Sequence, residues 1–346
     1  MYRVLLIGLG PLGTRIGREL IERGVGDLVG AVDTAPELAA LPVSKLVPGA
    51  DQGLAVVPAL DAFGRWDVVD AVIVATSSTV RACAPTFAAC LREGKAVVST
   101  CEELVWPWLR EPGLARELDV TARRFGGRLL GTGVNPGFLM DALPVFLTAV
   151  CSRVEHVRVE RVQDASARRI PFQRKIGAGL TIGEFKERLA AGGFGHVGLG
   201  ESVHLLAHCT GLSIARWEER IEPVRADREL PGVGGEGRIR PGMVAGIEQT
   251  ATAWDNGGEP VIEMLFHAAI GAVGARDRTI IRGEPSLEMV MPGGVHGDAA
   301  TCAIAVNAIA SLLSAEPGLH TMASVPLVHH APGRTRGLVP APSSGR

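Results

Sequence analysis

The sequence predicts an α/β protein: an N-terminal doubly wound parallel sheet, then a second α+β domain carrying an open sheet. Three observations carry that reading. Up to about residue 150, short continuous apolar runs alternate with helix-spaced segments, the pattern of a parallel sheet covered on both faces. Beyond Cys151 the runs change to an interleaving of apolar and polar residues, as in Val154–Val162, the mark of strands with one solvated face. The length of 346 residues corresponds to about two domains.

Each element has its own warrant. Tyr2–Gly8 is a β-branched and leucine run, a buried strand. Pro11–Arg23 spaces Leu12, Ile16, Leu20 and Ile21 along one helix face. Asp27–Asp33, Ala71–Thr76, Ala96–Thr100 and Arg128–Thr132 read as further strands, with Leu54–Val57 a short one. Helices are expected over Val80–Arg92 and Leu114–Arg124. The dinucleotide-type domain is assigned residues 1–150, completed by a returning apolar helix near 297–315, with Ala299–Leu313 as its core. Residues 151–296 form the second domain, for substrate and dimerisation, with alternating strands also at Val261–His267, Arg278–Arg282 and Leu287–Met291. Its helices are expected at Gly183–Ala191 and Glu201–Gly211. Residues 331–346 combine Pro, Gly, Ser and Arg without periodicity and read as a flexible tail.

Composition narrows the classes. Lys+Arg 35 against Asp+Glu 37 gives a net charge of −2, which argues against a nucleic-acid partner. No apolar stretch reaches the ~18–20 residues of a membrane span. The opening segment lacks a basic n-region and a small-residue cleavage site, so it reads as a strand and not a signal peptide. The cysteines at 83, 90, 101, 151, 209 and 302 form no CxxC pair and read as reduced thiols of a cytoplasmic protein. No metal site is expected: His204 and His208 share a helix face but have no acidic third ligand nearby.

Gly8-Leu9-Gly10-Pro11-Leu12-Gly13 follows a strand and opens a helix, the context a GxGxxG phosphate loop requires. Gly8 permits the tight turn, Gly10 the approach of a pyrophosphate, and Gly13 close helix–strand packing. The helix N-terminus offers N–H groups and positive potential to phosphates. Asp33 ends the next strand, where a carboxylate binds ribose hydroxyls and repels a 2′-phosphate. NAD is therefore preferred, Thr34 standing where an arginine would suit NADP. Arg15 is the nearest clamp by which NADP remains possible.

Ala75, Thr76 and Ser77 end the AVIVAT strand and line the cofactor, while Ser78 or Thr79 can also cap the next helix. Thr100-Cys101-Glu102-Glu103 follows the AVVST strand, where a nicotinamide ring would lie. One of the two carboxylates there can serve as acid/base, or both can be solvated loop charges. Val134-Asn135-Pro136-Gly137-Phe138 ends the last strand. Asn135 reads as an N-cap, Pro136 as the first residue of a helix, and Asn135 and Gly137 also as cofactor-cleft residues.

GLGPLG, VVSTCEELVWP and GTGVNPGFLMDALP together resemble the dihydrodipicolinate-reductase-like family that holds 2,4-diaminopentanoate dehydrogenases and native amine dehydrogenases. The resemblance runs from residue 1 to about 325. It implies a two-domain homodimer that reductively aminates a ketone or aldehyde with ammonia, or deaminates an amine, using NAD(P). The alternatives are a 2,4-diaminopentanoate-type amino acid dehydrogenase and a reductase of a cyclic imine or alcohol. The family's catalytic glutamate maps onto the Glu102–Glu103 pair, with Glu102 placed first. Substrate walls are expected from Trp106, Val134 and Phe138. Arg161 is a candidate for a substrate carboxylate, as is Arg174, and each equally reads as a salt-bridged surface charge. The histidine-pair, lysine and PSGT pattern of hydroxy-tetrahydrodipicolinate reductase itself is missing, since His329-His330 lie near the tail.

Overall fold

A computed structural model describes residues 1–192 and 194–333. The chain divides into two compact units. The first comprises Met1–Leu104, Glu111–Gly133 and the C-terminal part from Asp298; the second comprises Val105–Arg110 and Val134–Gly297.

The first unit holds β1 (Tyr2–Ile7), α1 (Pro11–Glu22), β2 (Gly26–Val32), α2 (Val43–Leu46), β3 (Val56–Val57), β4 (Ala71–Val74), α3 (Val80–Arg92), β5 (Ala96–Ser99), α4 (Pro112–Phe125) and β6 (Arg128–Gly131). Its seven-stranded sheet has the order β15-β6-β5-β4-β1-β2-β3, with β15 at Gly318–His320, and every pairing is parallel. β4 and β5 are buried along their whole length, which is why the sequence shows unbroken apolar runs there. Ile16 and Leu20 of α1 bury the predicted helix face. Cys302, Ala305, Val306, Ile309 and Leu312 of the late helix join this core.

The second unit holds α5 (Ala142–Leu147), β7 (Arg153–Asp164), α6 (Ile170–Lys175), α7 (Ile182–Ala191), α8 (Leu199–Thr210), β8 (Arg216–Arg225), β9 (Leu230–Pro231), β10 (Arg238–Ile239), β11 (Val244–Trp254), β12 (Pro260–Ala269), β13 (Arg276–Glu284) and β14 (Leu287–Pro292), followed by α9 (Gly297–Leu313). The six-stranded sheet runs β14-β13-β7-β12-β11-β8; β7 and β12 are parallel and the other neighbours antiparallel. Val157, Val159, Ile247, Met264 and Phe266 on its inner face share one apolar core with Phe185 of α7 and Val203 and Leu206 of α8.

Two expectations need correction, and two strands were not foreseen. The divide between units falls after Gly133, not at residue 150, because Met140 lies in the second core and Val145 and Leu147 pack against it. No helix starts at Pro136: Gly137 turns the chain at φ +116, and the helix begins at Ala142, capped by the Asp141 side chain. β8 and β11 carry no clean apolar signal, because charged residues crowd β8 and a buried glutamine, Gln249, interrupts β11. The tail expected over 331–346 lies, from residue 334 on, outside the described residues.

Candidate active site

In the first unit the strand register brings the expected loops into one row. Ile7 pairs with Val32 and with Val74, and Val74 with Ser99. The residues that follow, Gly8, Asp33, Ala75 and Thr100, therefore leave the sheet side by side at its carboxyl edge, where doubly wound sheets bind ligands.

The three loop glycines do different work. A Cβ on Gly13 would lie 1.9 Å from the Gly8 carbonyl oxygen, so only glycine lets α1 sit this close to the loop. Gly8 has φ +94, and its Cβ would meet the Ala75 carbonyl oxygen at 2.5 Å. Gly10 faces open space, with nothing within 4 Å of an added Cβ. Pro11 is the first residue of α1, Leu12 follows, and no side chain caps the helix N-terminus. Open space at Gly10 beside uncapped N–H groups fits the phosphates of a dinucleotide.

Asp33 stands against this loop. Its Oδ2 accepts the Leu9 N–H at 2.6 Å, and its Oδ1 accepts the Ala35 N–H at 2.9 Å. Thr34 and Thr76 are exposed; Ala75, Ser77 and Thr100 are half-buried. The Cys83 and Cys101 thiols reach the Ser77 and Ser78 carbonyls at 3.6 and 3.3 Å and anchor that turn from beneath.

The paired carboxylates part company. Glu103 Oε2 accepts the Val80 N–H at 2.9 Å, and the Glu103 N–H donates to the Ser78 carbonyl at 3.1 Å. Glu103 is thus the cap of α3, where Ser78 or Thr79 was expected; Thr79 occupies the cap position with no side-chain hydrogen bond. Glu102 is half-buried and opens the short 3-10 turn after β5.

The second unit gathers a different set. Val134 is buried and Phe138 half-buried. Both amide atoms of Asn135 are buried without a hydrogen-bond partner. The turn that presents Asn135 is held by Asp141, whose carboxylate accepts the Gly137 N–H at 2.8 Å, the Ala142 N–H at 2.6 Å and the Ser202 hydroxyl at 2.7 Å. Full burial raises the Asp141 carboxyl above its ordinary range, against the pull of those three donors. Gly198 packs on the turn, since an added Cβ would lie 2.3 Å from Pro136. The Trp106 ring meets those of Trp108 and His208 at tilted angles of 58° and 45°, with centroids at 4.8 and 4.9 Å. His204 Nδ1–H donates to the Gly200 carbonyl at 2.8 Å, and the ring meets Trp217 edge-on. Among the described residues no group of three or more His, Cys, Asp or Glu side chains is placed to hold a metal.

Arg161 is 1% exposed, on the inner face of β7. Nη1 donates to Asp277 at 2.6 Å and Nη2 to the Val295 carbonyl at 2.9 Å, while Nε has no partner. It is not a surface charge. Sequence reasoning missed Asp141, six residues past Asn135, and also Ser202, His196 and Gln249, which lie far from Asn135 and Arg161 along the chain. The one local signal was the glycine-rich stretch around His196, GFGHVGLG.

Known proteins resemble both units of this chain. The family description of the 2,4-diaminopentanoate dehydrogenase C-terminal domain matches residues 138–340. The 2,4-diaminopentanoate dehydrogenase of Acetoanaerobium sticklandii is 30% identical over 346 residues, covering 97% of each chain. This chain belongs to the 2,4-diaminopentanoate dehydrogenase family. An amine dehydrogenase of Streptomyces virginiae is 25% identical over 294 residues, 74% of this chain and 77% of that one. The amine dehydrogenase of Mycobacterium smegmatis has the same fold, with a TM-score of 0.82 at 22% identity, covering 96% of this chain and 98% of that one. The family match starts at Phe138, just past the divide at Gly133, so it takes in most of the second unit and the returning α9 and β15.

Proposed function

We propose that this protein is an NAD(P)-dependent amine dehydrogenase, interconverting an amine with its carbonyl compound and ammonia. The carrying observation is that Glu102 follows β5 in the same edge row as the glycine loop, in a chain of the 2,4-diaminopentanoate dehydrogenase family.

Gly8, Gly10, Pro11, Leu12 and Gly13 would hold the phosphates, Asp33 and Thr34 the adenosine ribose, and Ala75, Thr76, Ser77, Thr100, Asn135 and Gly137 the remainder. The Asp33 carboxylate disfavours a 2′-phosphate, which supports NAD over NADP. When bound, the nicotinamide ring supplies a hydride acceptor or donor. Glu102 removes the proton from the substrate ammonium, which frees the nitrogen lone pair. Once that proton has passed to solvent, the regenerated carboxylate takes a proton from the water that attacks the iminium carbon, returns it to the departing nitrogen, and accepts the hydroxyl proton as the carbonyl forms and ammonia leaves. Glu103 leaves this work to Glu102 because its carboxylate is spent on Val80. Trp106, Val134 and Phe138 supply apolar walls for the substrate.

Two properties belong to the same proposal. The outer face of the six-stranded sheet carries half-exposed residues such as Leu265, Thr250 and His267, which supports a homodimer closed over that face. All six cysteines are free, which supports a reducing, cytoplasmic setting. No helix among the described residues is long and apolar enough to cross a membrane.

The test is NADH oxidation with a simple ketone, with and without ammonia. Ammonia-dependent oxidation is expected. Ketone reduction that ignores ammonia would establish alcohol chemistry instead.

A further inference from the structure

Two thiols meet beneath the turn that follows β4. Cys83 stands in the first turn of α3, and Cys101 two residues past the end of β5. Each is 1% exposed. The Cys101 N–H donates to the Ser99 hydroxyl at 3.1 Å, and that hydroxyl donates to the Val74 carbonyl at 3.0 Å, which ties Cys101 to β4. Consecutive carbonyls of the turn lie within reach of the two sulfurs, Ser77 for Cys83 and Ser78 for Cys101. The Thr76 hydroxyl is 3.5 Å from the Cys83 sulfur. The two sulfurs are also hydrogen-bonded to each other. Anchoring of the turn accounts for the contacts to Ser77 and Ser78, but not for this one.

The pair is asymmetric. The Cys101 thiol, and after it the Thr76 hydroxyl, stabilise charge on the Cys83 sulfur and hold that thiol below its ordinary range, against the effect of burial. The nearby N-terminus of α3 favours the same charge. Cys101 is pushed upward by the same contact and by burial. When the pair gives up one proton, the other therefore stays on Cys101 and the nucleophile is Cys83. A thiolate beside a protonated thiol is the arrangement of an attacking and a resolving cysteine. The dehydrogenase chemistry uses neither sulfur.

We propose that Cys83 and Cys101 are a redox modification site, closed to a disulfide by hydrogen peroxide and reopened by a dithiol. The Cys83 thiolate attacks one peroxide oxygen, the O–O bond breaks, and a sulfenic acid and hydroxide result. The Cys101 sulfur then displaces the sulfenic hydroxyl, which leaves with the Cys101 proton as water while the S–S bond forms. Two electrons pass from the sulfurs to the peroxide. A dithiol returns them by exchange and itself becomes a disulfide.

The effect falls on the turn. A disulfide sulfur neither donates nor carries charge, so the contacts by which the pair holds residues 76–78 are lost. Closing the sulfurs to about 2 Å also draws Cys101, and Glu102 beside it, toward α3. Where residues 75–77 line a dinucleotide, the loosened turn binds it less well. By the same linkage a bound dinucleotide holds the turn shut over the sulfurs and slows their oxidation. This effect rests on the proposed cofactor site; the disulfide itself does not.

The experiment treats the reduced full chain with hydrogen peroxide, with and without NADH. It maps the cysteines by mass spectrometry, follows amide hydrogen exchange over residues 75–80, and measures the NADH dissociation constant. A Cys83–Cys101 cross-link is expected, forming more slowly with NADH present. With it should come faster exchange across the turn and an NADH dissociation constant raised about 2- to 10-fold, the worth of one lost hydrogen bond. Dithiothreitol should reverse all three. Cys83→Ser and Cys101→Ser, each compared with itself before and after peroxide, should show no cross-link and no change in exchange or affinity. Cys209→Ser, which removes an exposed thiol, should respond as wild type does. Oxidation confined to Cys209, or a cross-link after which exchange and NADH affinity are as before, would overturn the proposal. A cross-link with its exchange response, in a chain that binds no NADH when reduced, would uphold the site and overturn the cofactor reading.

Discussion

At the scale of single residues, two adjacent glutamates have opposite fates. Glu103 is a helix cap and Glu102 the proposed acid/base. Glu102→Gln should lower ammonia-dependent ketone reduction about 10²–10⁴-fold, the usual worth of a general base, and leave NAD affinity in place. Glu103→Ala should instead cost about 1 kcal/mol of stability, read as a fall in the denaturant midpoint, with a smaller loss of rate. Equal, near-normal rates in Glu102→Gln and Glu103→Gln would end the acid/base assignment. Asp33→Ala should weaken NAD and relatively favour NADP, checked by the two dissociation constants.

His196 gives a residue-scale prediction in pH. Burial, with the Lys175, Arg161 and Arg168 charges behind it, pushes its imidazole down to about 3 from an ordinary 6.5. The unfolded chain takes up a proton near pH 6.5, whereas the folded chain resists until about pH 3. The stability contribution is therefore fully present above pH 6.5 and is lost as pH falls through that window. The slope is at most about 1.4 kcal/mol per pH unit for one proton. His196→Gln should flatten this part of the acid profile, measured by urea unfolding between pH 4 and 7.

At the scale of elements, the glycine loop separates folding from binding. Gly13→Ala puts a Cβ into a backbone carbonyl and should cost about 1–3 kcal/mol by overpacking, seen as a lowered Tm. Gly10→Ala adds a methyl group in open space, at an extended backbone position. Its Tm should stay within the small range of a surface change, while the NAD dissociation constant rises as the methyl group meets the phosphates. Loss of Tm in Gly10→Ala, or undiminished NAD binding, would show that this loop is only a tight turn. The 134–142 turn shows the converse case, where a buried carboxylate, Asp141, fixes a loop that no helix supports.

For the whole molecule, the outer face of the six-stranded sheet is the surface to test. Alternation along β12 turns Glu263, Leu265 and His267 outward while Met264 and Phe266 join the core. A homodimer closed over this face should sediment at twice the 36.3 kDa chain mass at micromolar concentration. Leu265→Lys should shift it to monomer by placing like charges across a two-fold axis. A monomeric wild type would rule the interface out.

The sequence alone determined the parallel sheet, the glycine loop and the acid after β2, because each is a local pattern. A buried strand must be apolar throughout, and a phosphate turn needs glycine at fixed offsets, so both are written in consecutive residues. It also displayed the glutamate pair after β5, but not which member is engaged. That was decided by the Val80 N–H, which belongs to another helix. Only the tertiary structure placed Gly318–His320 as a seventh strand, since three residues carry no period of their own. Only it revealed that Asn135 opens a turn and not a helix, because the competing cap is Asp141. A polar row in the second unit was likewise invisible beforehand. Gln249, Phe266, Arg161 and Asp277 sit on four different strands and His196 on a loop. A buried polar residue reads in sequence like an exposed one until strand register shows which groups share its surroundings.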